Sequence, residues 1–145
     1  MDAKKYFSGV FVIEDRINKL REKIEMLRSH QTSGGGPGDG LGVQKSRNYR
    51  RGQDISVSII EAENELDKTG LRLLALETQI RAAARGLSDP LARAVITWRY
   101  VCRLKWKDIA ARAEMSEMQI MRAHNGALAQ IENEHNYGLT NNVAN

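Results

Sequence analysis

The chain has 145 residues, of which 28% are charged and 6% aromatic, with a formal net charge of +4. That size suits one ordinary domain or two very small ones, and the mild basicity permits nucleic-acid binding without establishing it. Cys102 stands alone, which excludes an internal disulfide, and no apolar run approaches the ~20 residues of a membrane span. The opening "MDAKKYFSGVFVIEDR" lacks a signal-peptide pattern, so the expected location is the cytoplasm. Abundant Leu, Ile and Ala, with Pro37 and Pro90 as the two prolines, predict an all-α fold.

Residues 3–30 carry an apolar repeat of alternating four- and three-residue steps: Tyr6, Val10, Ile13, Ile17, Leu20, Ile24 and Leu27. This is the seam of a helix that packs along its length on a partner helix. Residues 31–54, "QTSGGGPGDGLGVQKSRNYRRGQD", break the rhythm, and their glycines predict a flexible loop. Lys45, Arg47, Arg50 and Arg51 on that loop could touch phosphates, or form a merely solvated linker. Residues 55–85 restore the repeat through Ile55, Ile59, Ala62, Leu66, Thr69, Leu73, Leu76, Ile80 and Ala83. The two segments predict a long antiparallel hairpin over 1–86, in which Thr69 and Gly70 weaken the second helix without ending it. Met26, Leu71 and Leu74 lie off the seams and offer a second contact face, so a homodimer through the N-terminal helices is expected.

"RGLSDP" marks the next boundary. Gly86 is expected to close the long helix in a left-handed cap, Ser88 or Asp89 to cap the next one, and Pro90 to occupy its first turn. A three-helix domain over 87–135 follows, with helices near 90–102, 106–113 and 117–135, and a disordered tail over 136–145. Cys102 reads as a small buried hydrophobe within the first of these helices. The inner faces are Leu91, Val95, Ile96 and Trp98; Ile109, Ala110 and Ala113; and Ile120, Ala123, Ala127, Leu128 and Ile131.

The second helix is short and Ala110 permits close, steep crossing, the geometry of a helix-turn-helix. Ser116 is suited to cap the third helix. Glu114 occupies the turn position where glycine with positive φ is usual, at a cost of about 1 kcal/mol. Glu117, Met118, Gln119, Met121 and Arg122 form the expected base-reading face, since Gln can pair with adenine and Arg with guanine. Arg99, Arg103, Lys105, Lys107, Arg112 and Ser116 are the candidate phosphate contacts. A plain three-helix bundle serving another purpose is the competing reading.

No catalytic constellation is apparent. His30, His124 and His135 do not combine with Cys102 or acids at ligand spacing, so no metal and no cofactor is expected. The glycine-rich loop lacks the Lys-Ser/Thr of a phosphate cradle.

The run "DPLARAVITWRYVCRLKWKDIAARAEMSEMQIMRAHNGALAQIE" resembles the C-terminal promoter-reading domain of sigma factors, through "WRY", "DIA", the serine before the last helix and the "AL..I" ending. The whole chain is similar to phage and prophage late transcription regulators of the RinA and ArpU type. The resemblance implies a sigma-like helix-turn-helix that binds double-stranded DNA, acts with host RNA polymerase in the bacterial host cell and activates late genes, with base contacts on Glu117, Met118, Gln119, Met121 and Arg122. Sigma factors are basic at several of these places, whereas only Arg122 is basic here, which points to a different DNA sequence. Alternatives are a small terminase-like packaging subunit, although those usually place the DNA-binding part first, and a module that grips RNA polymerase without reading DNA.

Overall fold

The computed structural model describes residues 2–33 and 42–143; the side chains at 33, 42–48 and 136–143 stand outside that description. The fold is all-α, with no strand among the described residues. In chain order the helices are α1 (Ala3–Phe7), α2 (Gly9–Ser33), α3 (Gly42–Arg85), α4 (Pro90–Ile96), α5 (Trp106–Ala113) and α6 (Glu117–Val143), with a π-helical turn at Thr97–Val101 between α4 and α5.

Three local expectations change. Two-thirds of the anticipated loop is helix, because α2 runs to Ser33 and α3 begins at Gly42. From Val43 to Asp54 the chain holds no proline and a single glycine, and half of its residues are Gln, Lys or Arg, so the segment carries no strong helix breaker. Gly86 does not adopt a left-handed cap, as no described glycine has positive φ. Instead α3 closes by tightening, with Gly86 N bonding Ala83 O at 3.2 Å and Leu87 N bonding Ala84 O at 3.1 Å. The helix of α6 continues to Val143, through most of the segment expected to be disordered; residues 144–145 lie outside the described residues.

Residues Ile13–Arg72 form one compact unit. Here Arg16 bonds Glu65, Arg28 bonds Glu63, and Gln31 Nε2 donates to Ser56 Oγ at 3.0 Å. Partner numbers fall along α3 as they rise along α2, so the two segments run antiparallel. Their inner faces bury Ile17, Leu20 and Ile24 on one side and Ile59, Ala62 and Thr69 on the other. Thr69 is tolerated because its hydroxyl donates to the Glu65 carbonyl at 2.7 Å, which satisfies a buried polar group. Ile13, Leu27, Ile55 and Leu66 are half-buried flanks of the same stripes. The Arg16 guanidinium beside Glu65 lowers that carboxyl from its ordinary value, despite some opposing desolvation.

The other unit combines Met1–Val12 with Leu73–Asn145. The division therefore falls elsewhere than residue 86, because Ile80, Ala84 and Leu87 share one core with Ala3, Phe7, Val10, Ile96, Tyr100 and Ile131. Tyr6, expected on the seam, is 46% exposed and Phe7 takes the inward place. The break at Ser8 between α1 and α2 accounts for the slip in register: Asp2 caps α1 by accepting from Lys5 N at 3.0 Å, and Tyr6 turns its hydroxyl to Gln79. Ala3 N donates to Glu132 Oε1 at 2.7 Å, pinning α1 to α6. Phe7 meets the edge of Tyr100 at 5.5 Å between ring centroids.

Candidate nucleic-acid interface

Asp89 caps α4 by accepting from Leu91 N at 3.1 Å, with Pro90 in the first turn. The helix then widens: Cys102 N bonds Thr97 O at 3.0 Å, and Leu104 N reaches Trp98 O at 2.9 Å. Arg103 closes this turn with φ 56°. A non-glycine residue there costs about 1–2 kcal/mol, offset by the 2.6 Å bond from Arg103 Nη1 to Glu77 and the 3.1 Å bond to the Val101 carbonyl. The widened turn carries Cys102 to the surface, where the buried position expected for it is not realised.

A second, smaller core joins α4, α5 and α6 through Val95, Ile109, Ala110 and Ile120, flanked by Leu91, Trp98, Trp106 and Ala123. Between α5 and α6 the chain makes a Schellman closure: Met115 N bonds Ala110 O at 3.1 Å and Glu114 N bonds Ala111 O at 3.3 Å. Glu114 adopts φ 53° and ψ 43°, the left-handed conformation anticipated at this turn position. Ser116 and Gln119 then cap α6 reciprocally. Gln119 N donates to Ser116 Oγ at 3.2 Å, and Ser116 N donates to Gln119 Oε1 at 3.0 Å. This is a capping box, with glutamine in the third position.

The first turns of α6 therefore separate into two sides. Ile120 is fully buried, whereas Glu117, Gln119 and Arg122 are exposed and Met118 is 67% exposed; Met121 is half-buried. Arg122 Nη2 lies 3.8 Å from Met118 Sδ, one turn back on the same face. Gln119 differs from the expected picture, because its side-chain oxygen is already engaged in the cap. Lys105, Lys107 and Arg112 are exposed.

Arg99 and Arg103 are held by the fold. The Arg99 guanidinium lies 4.7 Å from the Phe11 ring centre and 4.5 Å from that of Trp106, and Nη1 donates to the Leu104 carbonyl at 2.9 Å. Burial pushes its pKa down. Its work is to brace the π-turn against α2 and α5. On the other unit Arg50 and Arg51 are exposed on α3, and the side chains of Lys45 and Arg47 lie outside the described residues.

The sequence does not reveal the roles of His124 and Asn125. His124 is fully buried inside α6, and Tyr100 Oη lies 2.6 Å from its Nε2. His124 Nδ1 lies 3.2 Å from Asn125 Oδ1, an acceptor, so Nδ1 carries the proton and Nε2 accepts from tyrosine. Burial lowers the His124 pKa, partly opposed by Asn125 and assisted by the Lys4 and Arg99 charges. Asn125, exposed and three residues after Arg122, extends the outer face of α6. Its spacing from Arg122 was the available signal.

No group of three or more His, Cys, Asp or Glu residues able to hold a metal occurs among the described residues. None of the described helices is long and apolar enough to cross a membrane. No curated protein and no solved structure matches the chain. A family model described as "Protein of unknown function (DUF722)" matches residues 4–133, so the chain belongs to the DUF722 family.

Proposed function

We propose that the protein is a DNA-binding transcription regulator whose α5–turn–α6 segment works as a helix-turn-helix. The observation that carries the reading is the two-sided start of α6. Ile120 is locked into the small core, while Met118 and Arg122 stand on the opposite face behind a tight left-handed turn at Glu114. A helix presented this way can enter the major groove with its N-terminal turns against base edges. Arg122 would pair with guanine, Met118 would contact a thymine methyl, and Glu117 would accept from a cytosine amino group. Lys105, Lys107 and Arg112 supply exposed charge for phosphates flanking that helix. Gln119 and Ser116 act mainly by fixing the helix start, and Arg99 and Arg103 by fixing the turn before α5.

The similarity of residues 89–132 to sigma-factor promoter-reading domains supports transcription as the setting, and the likeness to RinA- and ArpU-type regulators supports late-gene activation with host RNA polymerase. The test measures duplex binding by fluorescence anisotropy, using duplexes selected from a random pool by the wild-type chain. Arg122→Ala should lower affinity about tenfold or more, within the ~1–3 kcal/mol of a bidentate base contact. Lys107→Ala should weaken all duplexes alike and flatten the salt dependence. A wild-type chain that binds no duplex, even at low salt, would remove the reading in favour of a module that grips polymerase alone.

A further inference from the structure

The helix α3 carries a second stripe that faces away from α2. Within Ile13–Arg72, Val57, Ile60 and Leu71 are 53%, 57% and 67% exposed. Ile60, Asn64 and Leu71 fall within about 40° of one another around the helix, with Glu61 and Lys68 alongside. All five are exposed, and neither Glu61 nor Lys68 forms an ion pair among the described residues. Isolated apolar side chains on a surface need no explanation, but a repeat at helical spacing edged by opposite charges is a packing face.

We propose that this stripe docks against the same stripe of a second copy, with the two α3 helices antiparallel. The argument is self-complementarity. A two-fold axis near Leu66 sets Ile60 opposite Leu71 of the partner subunit and, by symmetry, Leu71 opposite the partner's Ile60. The same register brings Glu61 to the partner's Lys68 and Lys68 to the partner's Glu61. It also sets Asn64 across from the partner's Asp67, an amide donor against a carboxylate. Ile60 and Leu71 thus meet apolar residues, Glu61 and Lys68 meet opposite charges, and the Asp67 carboxylate meets an amide donor, the self-complementarity of an isologous interface. The Glu61–Lys68 pairing needs the antiparallel arrangement, because in a parallel pair residue 61 of one copy and residue 68 of the other lie about 10 Å apart along the axis. This surface does not depend on the DNA-reading face, and the two proposals fail separately.

Disulfide trapping tests it in a Cys102→Ser background. The double variant Ile60→Cys/Leu71→Cys should form a covalent dimer under mild oxidation. Within one chain the two sulfurs lie about 16 Å apart along the helix, too far for an internal bridge. Ile60→Cys alone should not cross-link, because the two copies of residue 60 are separated by that same distance. In sedimentation experiments Glu61→Lys should weaken the dimer at least about tenfold, and Glu61→Lys/Lys68→Glu should restore it. A monomeric wild-type chain, a dimer indifferent to Glu61→Lys, or cross-linking by Ile60→Cys alone would overturn the proposal. A monomer that still binds duplex loses only this interface, whereas a dimer that binds none loses only the DNA reading.

Discussion

Replacing Tyr100 by phenylalanine removes one buried hydroxyl, which bonds His124 and also interacts with the Ser8 side chain. The ring stays, so its edge contact with Phe7 and its stacking on His124 at 5.6 Å persist. What goes is the hydroxyl 2.6 Å from His124 Nε2. Tyr100 is 2% exposed and His124 0%, so water does not reach the abandoned acceptor. An unsatisfied buried acceptor costs about 1–3 kcal/mol, equivalent to a fall in Tm of about 2–12 °C for a chain of this size. Urea unfolding followed by circular dichroism should show a lower midpoint at unchanged slope. Adding His124→Leu to Tyr100→Phe removes the stranded acceptor too, so the double variant should lose less than the sum of the singles by at least about 0.5 kcal/mol. A Tyr100→Phe stability within about 0.5 kcal/mol of wild type would refute the reasoning, as would strict additivity.

Other expectations follow from the same geometry. Because burial lowers the His124 pKa below its ordinary 6.5, the fold favours neutral imidazole; its contribution is complete above pH 6.5 and is lost as pH falls through that value toward the folded one. Urea midpoints across this range should show a drop that His124→Leu abolishes, and an unchanged profile in that variant would assign the drop elsewhere. Gln119→Ala should cost about 1 kcal/mol by opening the capping box, whereas Gln119→Glu should keep it. Equal melting of the two variants would deny the box a role. Ile109→Ala and Ile120→Ala should each cost about 2–5 kcal/mol, because both are fully buried in the small core. Calorimetry that leaves either near wild type would mean this core is not packed as described.

The sequence was most informative where periodicity met burial. The steps Ile17–Leu20–Ile24 and Ile59–Ala62–Thr69 mark inner faces, and Ile109, Ala110 and Ile120 mark the small core. The left-handed turn at Glu114 was legible because a short helix, a small residue and a capping serine fix its place. Tyr6 was misread because a heptad count cannot see the break at Ser8, which rotates Phe7 inward. Cys102 was misread because the π-turn inserts extra residues per turn, and no local propensity announces that widening. Arg99 reads from sequence as a free cation; only the fold brings Phe11 and Trp106 to its two faces. His124 likewise looks like one more residue on a helix until Tyr100, distant in the chain, is set against it.

Methylation interference on a selected duplex addresses the central claim most directly, since a methyl group on guanine N7 occupies the major-groove edge that Arg122 would grip. Modification of one guanine should block the wild-type chain, while Arg122→Ala, binding more weakly, should be indifferent to that same base. Identical interference patterns for the two proteins, or no guanine whose modification matters, would contradict a reading role for the start of α6.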